Sequence, residues 1–164
     1  MLVSIRIPAT FAAEILSVAD PQRGDRFKRS SILRLEPSVM ARTPHFETSA
    51  NTSANLLRIR LSGDIDAKCM QACVNEVAQL ASTLTPNFKV FTDLSGIQSM
   101  DTACVPEVER LMDLCREKGV NRVVRLIPKR SKDVGFSILS LFHYPKQVHI
   151  VTCATQAEAE RALS

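Results

Sequence analysis

The sequence predicts an α/β domain in which a mainly parallel or mixed sheet of four to five strands packs against about four helices. Three observations carry that prediction. Leu56 to Leu61 (LLRIRL) alternates apolar and charged side chains, the period of a half-buried strand. From Ala67 onward apolar residues recur every three or four positions instead, the period of a helix with one buried face. The switch repeats to the end of the chain as β-α-β-α-β-α-β-α, and strands that alternate with helices pair in parallel because each return crosses over through a helix.

Taken in order, Ser62-Gly63-Asp64 reads as a turn after the first strand, and Asp66 as the N-cap of the helix that follows. That helix runs from Ala67 to Leu84 and buries Met70, Cys73, Val74, Val77, Leu80, Ala81 and Leu84. Phe88 to Phe91 (FKVF) is a strand leading out into Asp93-Leu94-Ser95-Gly96. Thr102 to Lys118 is helical, with Val105, Val108, Leu111, Met112 and Cys115 inward and Gly119 as its stop. Arg122 to Ile127 (RVVRLI) is a strand closed by Pro128, and Lys132 to Phe142 is a shorter helix. Val148 to Thr152 is the last strand and Ala157 to Leu163 the closing helix, while His45 to Thr48 (HFET) adds an antiparallel edge strand in front.

The first part of the chain reads differently. Residues 1–44 carry Pro8, Pro21, Pro37 and Pro44 and a charged run, Gln22 to Arg29 (QRGDRFKR), without amphipathic period. Such a stretch buries too little apolar surface to offset its ordering entropy. Two origins fit it: a poorly structured extension, or an over-extended reading frame with Met40 as the true start. The expected domain is therefore 45–164.

Composition excludes several classes. Of 164 residues, 45% are hydrophobic and 23% charged, as in an ordinary globular protein. The net charge of +4 is too mild for a nucleic-acid binder, and the five glycines are too scattered for a phosphate-binding loop. Cys69, Cys73, Cys104, Cys115 and Cys153 are odd in number and lack framework spacing, no apolar run is long enough to span a bilayer, and Arg6, Pro8 and Glu14 interrupt any secretory signal. Free thiols in a reducing cytoplasm are the expectation.

Within this frame FTDLSGIQSMDTACV, Phe91 to Val105, resembles the STAS domains, the family of bacterial anti-sigma factor antagonists and of sulfate-transporter cytoplasmic tails. In that family a buried strand ends in D-[LF]-S-G-[VI], matched by Asp93-Leu94-Ser95-Gly96-Ile97. A D-S-S-G-type motif follows at the amino end of the second helix, where this chain has Asp101-Thr102-Ala103-Cys104. Leu61-Ser62-Gly63-Asp64-Ile65-Asp66-Ala67 is similar to the family's loop before the first helix, and VHIVTCATQAEAERAL to its last strand and helix. The resemblance covers about 55–164. It implies a STAS-like fold, no catalytic site, no cofactor, and regulatory docking of a protein partner, an anti-sigma factor or kinase-like protein, through Asp64, Asp66, Asp101, Thr102, Ala103 and Cys104. The family's phosphorylated hydroxyl falls on Ala103, so the usual phosphoserine switch is lost here. Thr102 reads as a helix N-cap, and with Ser95 and Ser99 it is one of three remaining hydroxyls that could take a phosphate.

Asp64, Asp66, Asp93 and Asp101 near strand ends and helix starts could form an acid–base pair or hard-metal site, but without a nearby His they read as caps. Cys69 and Cys73 stand four apart on a helix without the two further ligands that a structural zinc needs. Lys129, Arg130 and Lys132 could hold an anion at a helix start. His143 and His149 read as surface or hydrogen-bonded residues, and the apolar run Gly135 to Phe142 leaves a homo-oligomer open. Two rival functions remain at this stage: a nucleotide-, anion- or lipid-binding module using the loops Ser62–Asp66 and Ser95–Thr102, and a thiol enzyme or redox sensor built on Cys104.

Overall fold

The computed structural model describes residues 43–128, 136, 139–140 and 143–164. The elements run β1 (His45–Asn51), β2 (Leu56–Ile65), α1 (Ala67–Ala81), β3 (Lys89–Met100), a 3₁₀ turn (Thr102–Cys104), α2 (Val105–Glu117), β4 (Arg122–Leu126), β5 (His149–Cys153) and α3 (Gln156–Leu163). The strands lie side by side in chain order; β1 pairs antiparallel with β2, and every later pair is parallel. This is the mixed five-stranded α/β sheet expected from the sequence, with three helices among the described residues. The expected helix Lys132 to Phe142 lies mostly outside those residues, although Phe136, Leu139, Ser140 and His143 are helical. Lys129, Arg130 and Lys132 lie outside them entirely, as does the N-terminal extension apart from Thr43 and Pro44.

Strand alternation divides the apolar side chains between two layers of unequal depth. Leu57, Ile59 and Leu61 of β2, Val90 and Leu94 of β3 and Val123 of β4 point forward into a core closed by Met70, Cys73, Val74 and Val77 of α1 and Val108, Met112 and Cys115 of α2. Each such aliphatic side chain contributes about 1.5–3 kcal/mol on burial. The opposite face holds a smaller cluster, Leu56, Phe91, Val124, Leu126 and Cys153, against Ala159 of α3. Beside it the backs of β1 to β3 carry polar side chains, with the Arg58 guanidinium 5.4 Å from the centre of the Phe91 ring.

Several boundaries differ from the sequence reading, and four of them have a clear local reason. Ser62-Gly63-Asp64 is not a turn but an irregular stretch inside β2. The β2–β3 register shifts between Arg60 and Ser62 and again between Gly63 and Asp64, and Gly63 adopts φ +83°, which glycine takes without strain. β3 runs past Phe91 as far as Met100, because its backbone keeps pairing with this bulged part of β2. α1 stops at Ala81 rather than Leu84, since the Ser82 and Thr83 hydroxyls donate to the Gln79 and Leu80 carbonyls and end the helix. α2 begins at Val105, after the 3₁₀ turn, rather than at Thr102. Its far end closes as expected, with Gly119 at φ +83° and its N–H on the Arg116 carbonyl.

Candidate docking surface

The irregular ends of β2 and β3 bring the separated sequence motifs together. Ser99 near the end of β3 donates its hydroxyl to Asp64 Oδ1 at 2.6 Å, and Asp101 donates its backbone N–H to the Ile65 carbonyl at 2.9 Å. Gly96 makes this approach available: a Cβ there would lie 2.7 Å from Ser62 Cβ. The glycine of D-L-S-G is thus required by strand packing as well as by any role at a surface.

The carboxylates act as caps and turn acceptors. Asp66 accepts the Cys69 N–H at 2.7 Å and so caps α1. Asp101 accepts the Ala103 N–H at 2.9 Å and opens the 3₁₀ turn. Asp93 accepts the N–H and hydroxyl of Ser95 at 2.9 and 2.6 Å, and Arg60 approaches it at 3.6 Å. The cap expected of Thr102 therefore belongs to Asp101, one residue earlier. An aspartate reaches the N–H two residues on, while the Thr102 hydroxyl is left exposed, 3.5 Å from Asp101 Oδ1. Asp66, Asp101, Thr102 and Ala103 are all exposed, so the first residues of the two helical segments form one outward-facing ridge.

Cys104 does not belong to that ridge. Its side chain is 0% exposed, its thiol points at the Ile65 carbonyl at 3.5 Å, and it is part of the main core. Burial, followed by the nearby Asp101 and Asp66 carboxylates, pushes its pKa up to about 11. A reactive thiolate needs the opposite environment. Its direct contact with a partner is corrected on this ground, and its thiol has the environment of a packing residue. Cys73 is likewise buried and pushed up to about 12, chiefly by burial and then by Cys69 and Glu76, so it is a packing residue.

Away from the ridge, the His143 ring faces α2, its Nδ1 3.0 Å from Asp113 and its Nε2 3.7 Å from Glu109, a hydrogen-bonded histidine as read from the sequence. Among the described residues no group of three or more His, Cys, Asp or Glu is placed to hold a metal ion, and no helix is long and apolar enough to cross a membrane. Sequence reasoning missed the Ser99–Asp64 bond, since no periodicity marks a side-chain pair between two strands at a bulge. Asp66 directly before the helical period of α1 was the signal that located its cap.

No protein-family model and no curated protein matches the chain. Among solved structures it is similar to an uncharacterized protein of the DUF3478 family, with a SpoIIAA-like fold, from Shewanella loihica PV-4. The TM-score is 0.60 at 12% identity, over 77% of this chain and 100% of that one. The fold is SpoIIAA-like. An anti-sigma factor antagonist from Mycobacterium paratuberculosis aligns with a TM-score of 0.45 at 17% identity, over 73% of this chain and 94% of that one. The SpoIIAA-like architecture agrees with the STAS fold that the motifs imply, at an identity where likeness speaks of architecture alone.

Proposed function

We propose that this protein is a non-catalytic regulatory module that docks a protein partner through the ridge formed by Asp64, Asp66, Asp101, Thr102 and Ala103. One observation carries the reading: residues 64–66 and 101–103, more than thirty positions apart, are locked side by side at one end of the sheet by the Asp101–Ile65 and Ser99–Asp64 bonds. The bonds hold the backbone while leaving Asp66, Asp101, Thr102 and Ala103 exposed, a preorganised surface that spends little ordering entropy on binding. The SpoIIAA-like fold and the motif resemblance make an anti-sigma factor or kinase-like regulator the expected partner class. By the motif resemblance Ala103 stands where that family has its phosphorylated hydroxyl, and in this reading docking runs without that phosphate switch.

A pull-down from the native host's extract tests this, comparing the full chain with Asp101→Lys and with Arg60→Glu on the opposite face of the sheet. The reading expects a regulatory protein captured by the wild type and by Arg60→Glu and lost by Asp101→Lys. A partner retained by Asp101→Lys contradicts the placement of the surface. Because Asp101 also caps the turn, Thr102→Arg serves as a second variant that leaves the cap in place.

A further inference from the structure

The back of the sheet is covered by a helix with little of its own to hold it there. α3 has eight residues, about two turns, and a helix that short is unstable alone in water. It buries one side chain fully, the methyl of Ala159, with Ala162 and Leu163 partly buried. Its capping box, with Thr155 accepting the Glu158 N–H at 3.3 Å while Glu158 accepts those of Ala154 and Thr155, is entirely local. The long-range grip is polar: Arg122 of β4 donates to the Ala162 carbonyl at 2.8 Å, and Lys89 of β3 to the Leu163 carbonyl. Both cations hold last-turn carbonyls that have no partner within the helix.

Beneath α3 lie Leu56, Phe91, Val124, Leu126 and Cys153. Phe91 also lines a groove of about 390 Å³ on the uncovered backs of β1 to β3, together with Glu47, Ser49, Arg58 and Asp93; Gln156, the first residue of α3, closes its rim. Lifting α3 therefore joins this polar groove to an apolar floor. From these observations we infer that α3 is a releasable cover. It unlatches as a local unit about Ala154 and Thr155 while the sheet, α1 and α2 stay folded, and so uncovers a latent apolar surface on the face opposite the proposed docking ridge. The inference does not depend on that ridge.

Cys153 reports the opening. It is 4% exposed, and its thiol pKa is raised first by burial and then by Glu158, which α3 itself carries. Release of α3 uncovers the thiol and takes away Glu158, together with Arg161, whose charge acts the other way. The test is iodoacetamide labelling of the full chain below its urea midpoint, read cysteine by cysteine by mass spectrometry. Cys153 is expected to react at least about tenfold faster than Cys73 and Cys115 of the main core, with a weaker urea dependence, as a sub-global opening requires. Arg122→Ala is expected to speed Cys153 by on the order of tenfold while leaving Cys73 unchanged. Ala159→Gly, which removes the one buried methyl of α3 and weakens the helix, gives the same selective effect if Arg122→Ala folds poorly. A single rate and a single urea dependence for all three cysteines would overturn the inference, as would variants that speed the three together.

Discussion

The two faces of the sheet are built to different standards. In front, α1 and α2 each lay down a continuous apolar stripe: Met70, Cys73, Val74, Val77 and Ala81 on one helix, and Val105, Val108, Met112 and Cys115 on the other. Behind, α3 offers Ala159 and a pair of cations reaching for its carbonyls. The front fixes the fold, and the proposed docking ridge hangs from its rim by backbone bonds. The contrast puts the proposed ridge at the margin of the deeper core, where the backbone is held and Asp66, Asp101, Thr102 and Ala103 stay exposed.

Breaking the front should cost most. Leu57→Ala or Met70→Ala, at 0% and 1% exposure, is expected to lower stability by about 2–5 kcal/mol in urea unfolding. Ala159→Gly on the back should cost about 1 kcal/mol, and equal losses would erase the contrast. Next comes Gly96→Ala, whose new methyl meets Ser62 Cβ; overpacking at the β2–β3 contact should cost about 1–3 kcal/mol. The thiols sharpen the comparison through pH. Cys73 and Cys115 in front are pushed up to about 12 and Cys104 to about 11, from an ordinary 9.0. A folded pKa above the unfolded one means that the folded state holds the proton more tightly. Their contribution is therefore complete below pH 9 and lost as pH rises from 9 toward 11–12. The urea midpoint should be level between pH 7 and 8.5 and fall by pH 10.5, with a smaller fall in Cys104→Ala. The smallest effect is expected on the exposed back, where Arg60→Ala breaks ion pairs with Asp93 at 3.6 Å and Glu47 at 4.0 Å and should change stability by about 0.5 kcal/mol or less.

Periodicity made the front legible. The three-and-four spacing from Ala67 and from Val105 named nearly every residue that the helices bury, and the alternation of LLRIRL set the facing of β2. The order of elements was enough for the parallel sheet, and His45 to Thr48 announced β1. What escaped prediction is concentrated at the ridge. Gly63 signals a turn and a bulge in the same way, and only the pairing partner decides between them. Asp101 and Thr102 both suit a cap, and the choice depends on whether the first turn is α or 3₁₀, which side-chain periodicity over three residues does not encode. Cys104 looked like part of a surface motif because its neighbours are, yet the 3₁₀ turn rotates it beneath them. The weak cover behind was partly readable: Ala157 to Leu163 was expected as a helix, but nothing in its spacing tells how little it buries.

The central claim is that recognition occurs on the ridge. It is tested most directly by titrating the captured partner against wild type, Thr102→Arg and Gln156→Arg, the last on the back face. The account predicts that Thr102→Arg weakens binding by about tenfold or more while Gln156→Arg binds as wild type. Full affinity in Thr102→Arg, or a loss confined to Gln156→Arg, would contradict it.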